Sequence, residues 1–242
     1  MKLFGDALSY IVDNWGKGAE VDVLLVQHLW YSFLAVFAAA AIAVPLGLLI
    51  GHVRRGEAVL VGLVNAMRAL PTLGLLTLLV LLMGLGLTPP ILALVIVGIP
   101  PLLAGTYAGI ANVDAATVDA ARAMGMTEPR VLFRVELPNA LPLILGGLRN
   151  ATLQVIATAT VAAYVNLGGL GRPIFSGLAL REFDRVLAAA LLVAALAAVV
   201  DGLLALVVWV SQPGTGRLRR TPRDVTAALA DLERSEGSPH SV

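Results

Sequence analysis

Apolar residues run along this chain in long blocks parted by short polar breaks, and five of the blocks reach the length of a bilayer-spanning helix. They cover about Leu29 to Gly51, Ala58 to Leu85, Ile91 to Ile110 after Thr88-Pro89-Pro90, Ala140 to Val165 and Val186 to Val210. A span needs about 20 mostly apolar residues to cross about 30 Å of hydrocarbon. The second block is long for one span and is interrupted by Arg68-Ala69-Leu70-Pro71, where the proline is expected to kink it. The third carries internal prolines at Pro100 and Pro101. Ahead of the blocks, Leu3, Phe4, Ala7, Leu8, Ile11, Val12 and Trp15 recur at helical spacing, with Lys2, Asp6, Asp13 and Asn14 on other sides. That pattern predicts a helix lying in the membrane interface. Asp6 and Asp13 interrupt its apolar run and no small-residue cleavage site follows, so the segment reads as mature sequence and not as a signal peptide. The expected organisation is an interfacial helix and linker over 1–27, a transmembrane domain over 28–211 and a polar tail over 212–242.

Composition agrees with a membrane protein. Of 242 residues, 58% are hydrophobic and only 14% charged, about half the charged share of soluble domains, and the mean hydropathy is +0.87. The expected class is all-α and polytopic. The absence of cysteine excludes disulfides, thiolate metal sites and a cysteine nucleophile together. His28, His52 and His240 are too scattered to suggest a metal centre, and a net charge of +1 offers no footprint for nucleic acid.

Lysine and arginine in short loops set orientation. A cytoplasmic C-terminus puts Arg54, Arg55, Arg122, Arg130, Arg134 and the tail arginines inside; Lys2, Lys17, Arg172, Arg181 and Arg185 then lie outside. With five spans the N-terminus is expected outside.

On that orientation the polar stretch 113–138 is a cytoplasmic loop of about 25 residues, long for a connection between packed helices. Val118 to Met124 is rich in helix formers, Gly125 is suited to a left-handed helix end, and Thr127 reads as the cap of a second helical turn opened by Glu128 and Pro129. Leu137-Pro138 is expected to stop that second piece and turn the chain back into the bilayer. A helix, a glycine elbow and a helix make a compact knob, fit to enter a groove on a soluble partner.

The spacing Asp119-Ala120-Ala121, three residues, Gly125, nine residues, Val135, one residue, Leu137-Pro138 resembles the signature loop of permease subunits of binding-protein-dependent ATP-binding-cassette importers. That signature is usually written Glu-Ala-Ala, then Gly, then Ile-x-Leu-Pro; the departures here are Asp for Glu at 119 and Val for Ile at 135. Arg68-Ala69-Leu70-Pro71-Thr72 and Asn166-Leu167-Gly168-Gly169-Leu170-Gly171 resemble corresponding stretches of the family, and the overall pattern is most similar to its osmoprotectant branch, which carries glycine betaine, carnitine and choline.

The resemblance implies the type I importer permease fold in a bacterial or archaeal cell membrane. It implies two ATPase subunits that bind ATP and Mg, a second permease subunit, the same or similar, and an extracytoplasmic substrate-binding protein. Asp119, Ala120, Ala121, Arg122, Met124, Gly125, Met126 and Pro138 become the coupling surface for the ATPase. The chain itself lacks the Gly-Lys-Ser/Thr of a phosphate-cradling loop, since its only lysines are Lys2 and Lys17, so it is not expected to be an enzyme or to hold a cofactor of its own. An amino-acid importer of the methionine type is the nearest alternative. A secondary transporter would need ion-coupling carboxylates, and Asp201 is the one carboxylate inside an expected span.

Charge inside hydrocarbon is costly and calls for a partner. Arg68, Arg149 and Asp201 lie about ten residues from the same end of their spans, roughly 15 Å deep, and Asp201 is expected to neutralise Arg149 or Arg68. Asn150, Gln154, Thr158 and Asn166 are spaced in multiples of four, which puts them on one ridge that either lines a pathway or bonds a neighbouring helix. Gly146, Gly147, Ala151 and Ala157 permit close helix packing. Gly168 to Gly171 is expected to form a flexible gate loop or a tight turn.

Overall fold

The computed structural model describes residues 2–15, 21–165 and 167–211. Expectations that fall on the linker 16–20, on Asn166 and on the tail 212–242 lie outside the described residues. Among the described residues the regular structure is helical: α1 (Lys2–Asn14), α2 (Val21–Val53), α3 (Glu57–Ala69), α4 (Thr72–Met83), α5 (Thr88–Ala111), α6 (Ala115–Ala123), α7 (Glu128–Val131), α8 (Leu137–Ala162), α9 (Gly171–Leu180) and α10 (Phe183–Ser211). Four helices are long and apolar enough to cross a membrane, and the bent pair α3 and α4 makes a fifth crossing if the two are one broken span.

Three places depart from the sequence pattern. First, α2 begins at Val21, about eight residues before the expected start, because Val21 and Leu24 bury themselves while Asp22 sits in the first turn, where the helix dipole favours an acid. Second, the second block does not bend gently. Leu70 and Pro71 leave the helical region at ψ 125° and 118°, and α3 and α4 meet at 85°, as the restriction on a residue before proline requires.

Third, Leu137-Pro138 does not end the helix that begins at Glu128. Leu132–Glu136 winds as a π turn and the helix continues into α8. The wider turn lets Leu137 N–H reach the Leu132 carbonyl, five residues back, and Pro138 falls within the first two positions of α8, where a missing N–H is cheapest. Asn139 Nδ2 caps the Val135 carbonyl at 2.7 Å.

The centre of the bundle is α2, α5 and α8. Ala35, Ala39 and Ala43 of α2 face Leu94, Leu102 and Leu103 of α5 and Ala151, Val155 and Ala159 of α8, all buried. Lipid tails are as apolar as leucine, so contact quality, not water exclusion, holds these helices together. Small residues provide it. A Cβ on Gly105 would lie 2.7 Å from the Gly147 Cα, and one on Gly147 would lie 2.9 Å from the Pro101 carbonyl oxygen. The α5 and α8 backbones therefore touch. Of the other small residues on α8, Ala151 is buried, whereas Gly146 has open space above it and Ala157 is exposed. On α1, Ala7 is fully buried while Leu3, Phe4, Leu8, Val12 and Trp15 remain exposed, which leaves the helix an apolar outer side.

Candidate functional site

The polar stretch after α5 folds as a helix-elbow-helix unit seated on the bundle. Asp114 caps α6 through Oδ1, which accepts from Ala116 N–H at 3.2 Å. Gly125 ends α6 at φ +82°, a left-handed value that a glycine adopts without strain. Thr127 occupies the cap position of α7, though its side chain makes no capping hydrogen bond there. Below the elbow, Val118, Ala121 and Val131 are buried with Ile110, Val113, Ala140 and Ile144 from the ends of α5 and α8, and Leu48 of α2 packs against them. The elbow is bolted to three helices at once. Its outer side offers Asp119, Ala120, Ala123 and Met124, the last 77% exposed at the apex, while Met126 is half-buried and Pro138 exposed.

Charged groups brace the elbow from within. Arg122 Nε and Nη2 donate to the two oxygens of Glu128 at 3.0 and 3.1 Å, and Arg122 Nη1 lies 3.6 Å from Asp119. The hydrogen bond from Arg122 holds the Glu128 carboxyl below its ordinary pKa and raises that of the guanidinium. The pair therefore persists at neutral pH and is lost only as pH falls through the lowered value. His52, in the last turn of α2, stands between two carboxylates, with Nδ1 2.5 Å from Glu136 Oε2 and Nε2 3.1 Å from Glu128 Oε2. Glu136 is 1% exposed. Sequence inspection missed this junction, whose partners stand 84 residues apart; an acid between Val135 and Leu137, just before Pro138, was its one local sign.

Within the bundle, the structure brings Arg149 of α8 and Asp201 of α10 together. Arg149 Nη2 donates to Asp201 Oδ2 at 2.7 Å and Nε donates to Oδ1, the two-point geometry that suits a guanidinium and a carboxylate. Arg68 does not join them. It lies exposed in the last turn of α3, and among the described residues it has no carboxylate within salt-bridge reach. Asn150 and Gln154 are exposed and Thr158 half-buried along α8, about 100° round the helix from the buried Ala151, Val155 and Ala159. The ridge faces away from this chain's own core.

At the other end of the bundle the glycine stretch forms a tight turn that bonds to α2. Gly168 and Gly169 take φ +88° and +68°, and a Cβ on them would meet Gln27 Oε1 at 2.8 Å and His28 Nδ1 at 3.0 Å. Leu170 N–H donates to His28 Nδ1 and Gly169 N–H donates to Gln27 Oε1. Since a backbone N–H can only donate, His28 carries its proton on Nε2, which gives it to the Ile156 carbonyl at 3.0 Å. His28 is 1% exposed, and Gly171 begins α9, a helix hidden inside what reads as loop.

Replacing His28 with alanine strands the Leu170 N–H and removes the second hydrogen bond of the Ile156 carbonyl, which keeps its bond within α8. The expected loss is about 2 kcal/mol, read as a lowered thermal midpoint together with faster hydrogen exchange at the Leu170 amide.

A bundle of spanning helices with a polar helix-elbow-helix unit between α5 and α8 marks a polytopic membrane protein. Residues 43–208 match the family described as binding-protein-dependent transport system inner membrane component, and the chain belongs to that family. It is 35% identical over 189 residues to the choline transport system permease protein OpuBB of Bacillus subtilis, covering 78% of this chain and 87% of that one. It is 38% identical to the carnitine transport permease protein OpuCB of Listeria monocytogenes, covering 76% and 85% respectively. The osmoprotectant import permease protein OsmY of Salmonella typhimurium is 36% identical over 201 residues. Among solved structures, the inward-facing MetNI methionine ABC transporter superposes with a TM-score of 0.68 at 20% identity, over 77% of this chain and 93% of that one, a likeness of fold.

Proposed function

We propose that this chain is the permease subunit of an ATP-driven importer for a small osmoprotectant such as glycine betaine, carnitine or choline. The carrying observation is the elbow: a solvent-facing knob with an exposed apex and a buried underside shared with α5 and α8 makes a rigid handle on the spanning helices. In this reading Asp119, Ala120, Met124 and Gly125 sit in a cleft of a separate ATPase subunit, which supplies ATP and Mg. Two such ATPases, a second permease chain and an extracytoplasmic binding protein complete the assembly. The elbow then faces the cytoplasm, an orientation favoured by Arg54, Arg55, Arg122, Arg130 and Arg134 at that end. The names of the relatives support the osmoprotectant branch; the methionine alternative has a structural neighbour of low identity behind it. In this reading the ridge of Asn150, Gln154 and Thr158 lines the path or meets the second permease, which its exposure on this chain supports.

Uptake of labelled glycine betaine at raised osmolarity tests this, in cells whose other betaine carriers are deleted. Uptake is expected to require the chain and to fall to background in Gly125→Asp. At position 125 a Cβ has open space around it, and the left-handed backbone costs a non-glycine residue roughly 1–2 kcal/mol, so the variant folds while its apex carries a new charge. Full uptake without the chain would reject the substrate assignment. Full uptake in Gly125→Asp would reject the role of the elbow.

A further inference from the structure

The broken span α3 and α4 buries only Leu60, Val64 and Leu76. At its break the backbone lies open: residues 68–71 are exposed, Leu70 and Pro71 are extended, and no side chain caps the start of α4. α3 starts at Glu57, next to the Arg54-Arg55 turn, while α4 packs on α5, on α8 and on the turn Ala163–Val165 that follows α8. The pair thus runs from one end of the bundle toward the other, and Arg68 stands at the break, roughly 16 Å along α3 from Glu57. Backbone that leaves the helical ladder at membrane depth is tolerated only where protein covers it or where it lines water. An open break with a charge beside it therefore marks a polar space and not a lipid-facing one.

A guanidinium in that space calls for an anion, and the described residues of this chain supply none. Both oxygens of Asp201 are held by Arg149, and Glu136 is bonded to His52. Asp22, Glu57 and Asp184 lie in the first turns of their helices, away from the break. A second copy of the chain would bring the same acids with the same commitments. What remains is the molecule in transit. Glycine betaine and carnitine carry a carboxylate at the end away from the trimethylammonium group, and choline carries a hydroxyl in that place. We propose that Arg68 binds the carboxylate of the transported molecule at the break between α3 and α4, so that carboxylate osmoprotectants gain a hold that choline lacks; this rests on the importer reading given above. A planar guanidinium can donate to a carboxylate at two points, which a hydroxyl cannot match. The break also stands beside α8, the helix that carries the exposed polar ridge.

The test uses the full complex with its binding protein in proteoliposomes and reads initial rates of glycine betaine uptake, choline uptake and ATP hydrolysis. Arg68→Gln is expected to lower glycine betaine uptake about tenfold or more, the effect of losing a hydrogen bond to a charged group. Its ATP hydrolysis and its choline uptake are expected to stay at wild-type levels. Arg68→Lys keeps the cation and is expected to recover most of the glycine betaine rate. Wild-type glycine betaine uptake in Arg68→Gln, an equal loss of both substrates, or loss of ATP hydrolysis along with uptake would each overturn the proposal. Where the binding protein delivers no choline, Arg68→Lys decides: a lysine variant no better than the glutamine one overturns it. The two levels separate at the wild type. A wild-type complex that carries neither molecule rejects the importer reading itself, whereas a wild type that carries glycine betaine beside an indifferent Arg68→Gln rejects the role of Arg68 alone.

Discussion

Asp201→Ala is expected to remove most of the folded chain from the membrane, whereas Arg68→Ala leaves its amount nearly unchanged. The difference follows from what each residue touches. Arg149 donates twice to Asp201 between α8 and α10, helices long and apolar enough to cross a bilayer, where an unpaired charge is costly. Losing the aspartate leaves a long cation in hydrocarbon with its donors unpaired. Arg68 loses nothing comparable, because its side chain lies exposed at the bend between α3 and α4. Replacing both members by leucine is expected to restore most of the folded chain, since an apolar pair leaves no unpaired charge in the span and the part-exposed site gives the new side chains room. Fluorescence-detected gel filtration of the single and double variants measures this. An Asp201→Ala chain as abundant and as heat-stable as the wild type would show that the pair holds nothing together.

A second large effect is expected at Gly147. Its missing side chain lets the α8 backbone rest on Pro101 and Gly105 of α5, and neither contact can step aside as a flexible side chain would. Gly147→Ala is expected to cost about 3 kcal/mol, the upper end for an overpacked core, and Gly147→Val to prevent folding. Gly146→Ala, one residue away with open space around the new methyl group, should be neutral or slightly stabilising through better helix propensity. Thermal midpoints of the purified chain in detergent compare the three. Equal effects at 146 and 147 would mean that α5 and α8 do not touch where the structure places them.

That pair of glycines also shows what the chain makes legible and what it withholds. Both are small residues in one apolar block, and nothing local says which of them meets another backbone. Patterns that repeat within a few residues were readable: the spans, the elbow around Gly125, and the need of Asp201 for an arginine at its own depth. Choosing Arg149 over Arg68 required knowing that α10 packs on α8, a matter of tertiary contact. His28 was overlooked for the same reason, because its partners at Ile156 and Leu170 lie 128 and 142 residues away. The error at Leu137-Pro138 had another source. Proline rules assume the α-helical hydrogen-bond ladder, and one π turn relaxes them.

His28 and His52 stand on the same helix, near its two ends. At 1.5 Å per residue they are roughly 36 Å apart, about the thickness of the hydrocarbon and its borders. One grips the glycine turn ahead of α9 and the other grips the elbow. Between them α2 runs unbroken, with Pro45 as the single imperfection in its backbone ladder. A single helix therefore touches both the glycine turn at one end of the bundle and the elbow at the other, with Pro45 as the one break in the ladder between those two contacts.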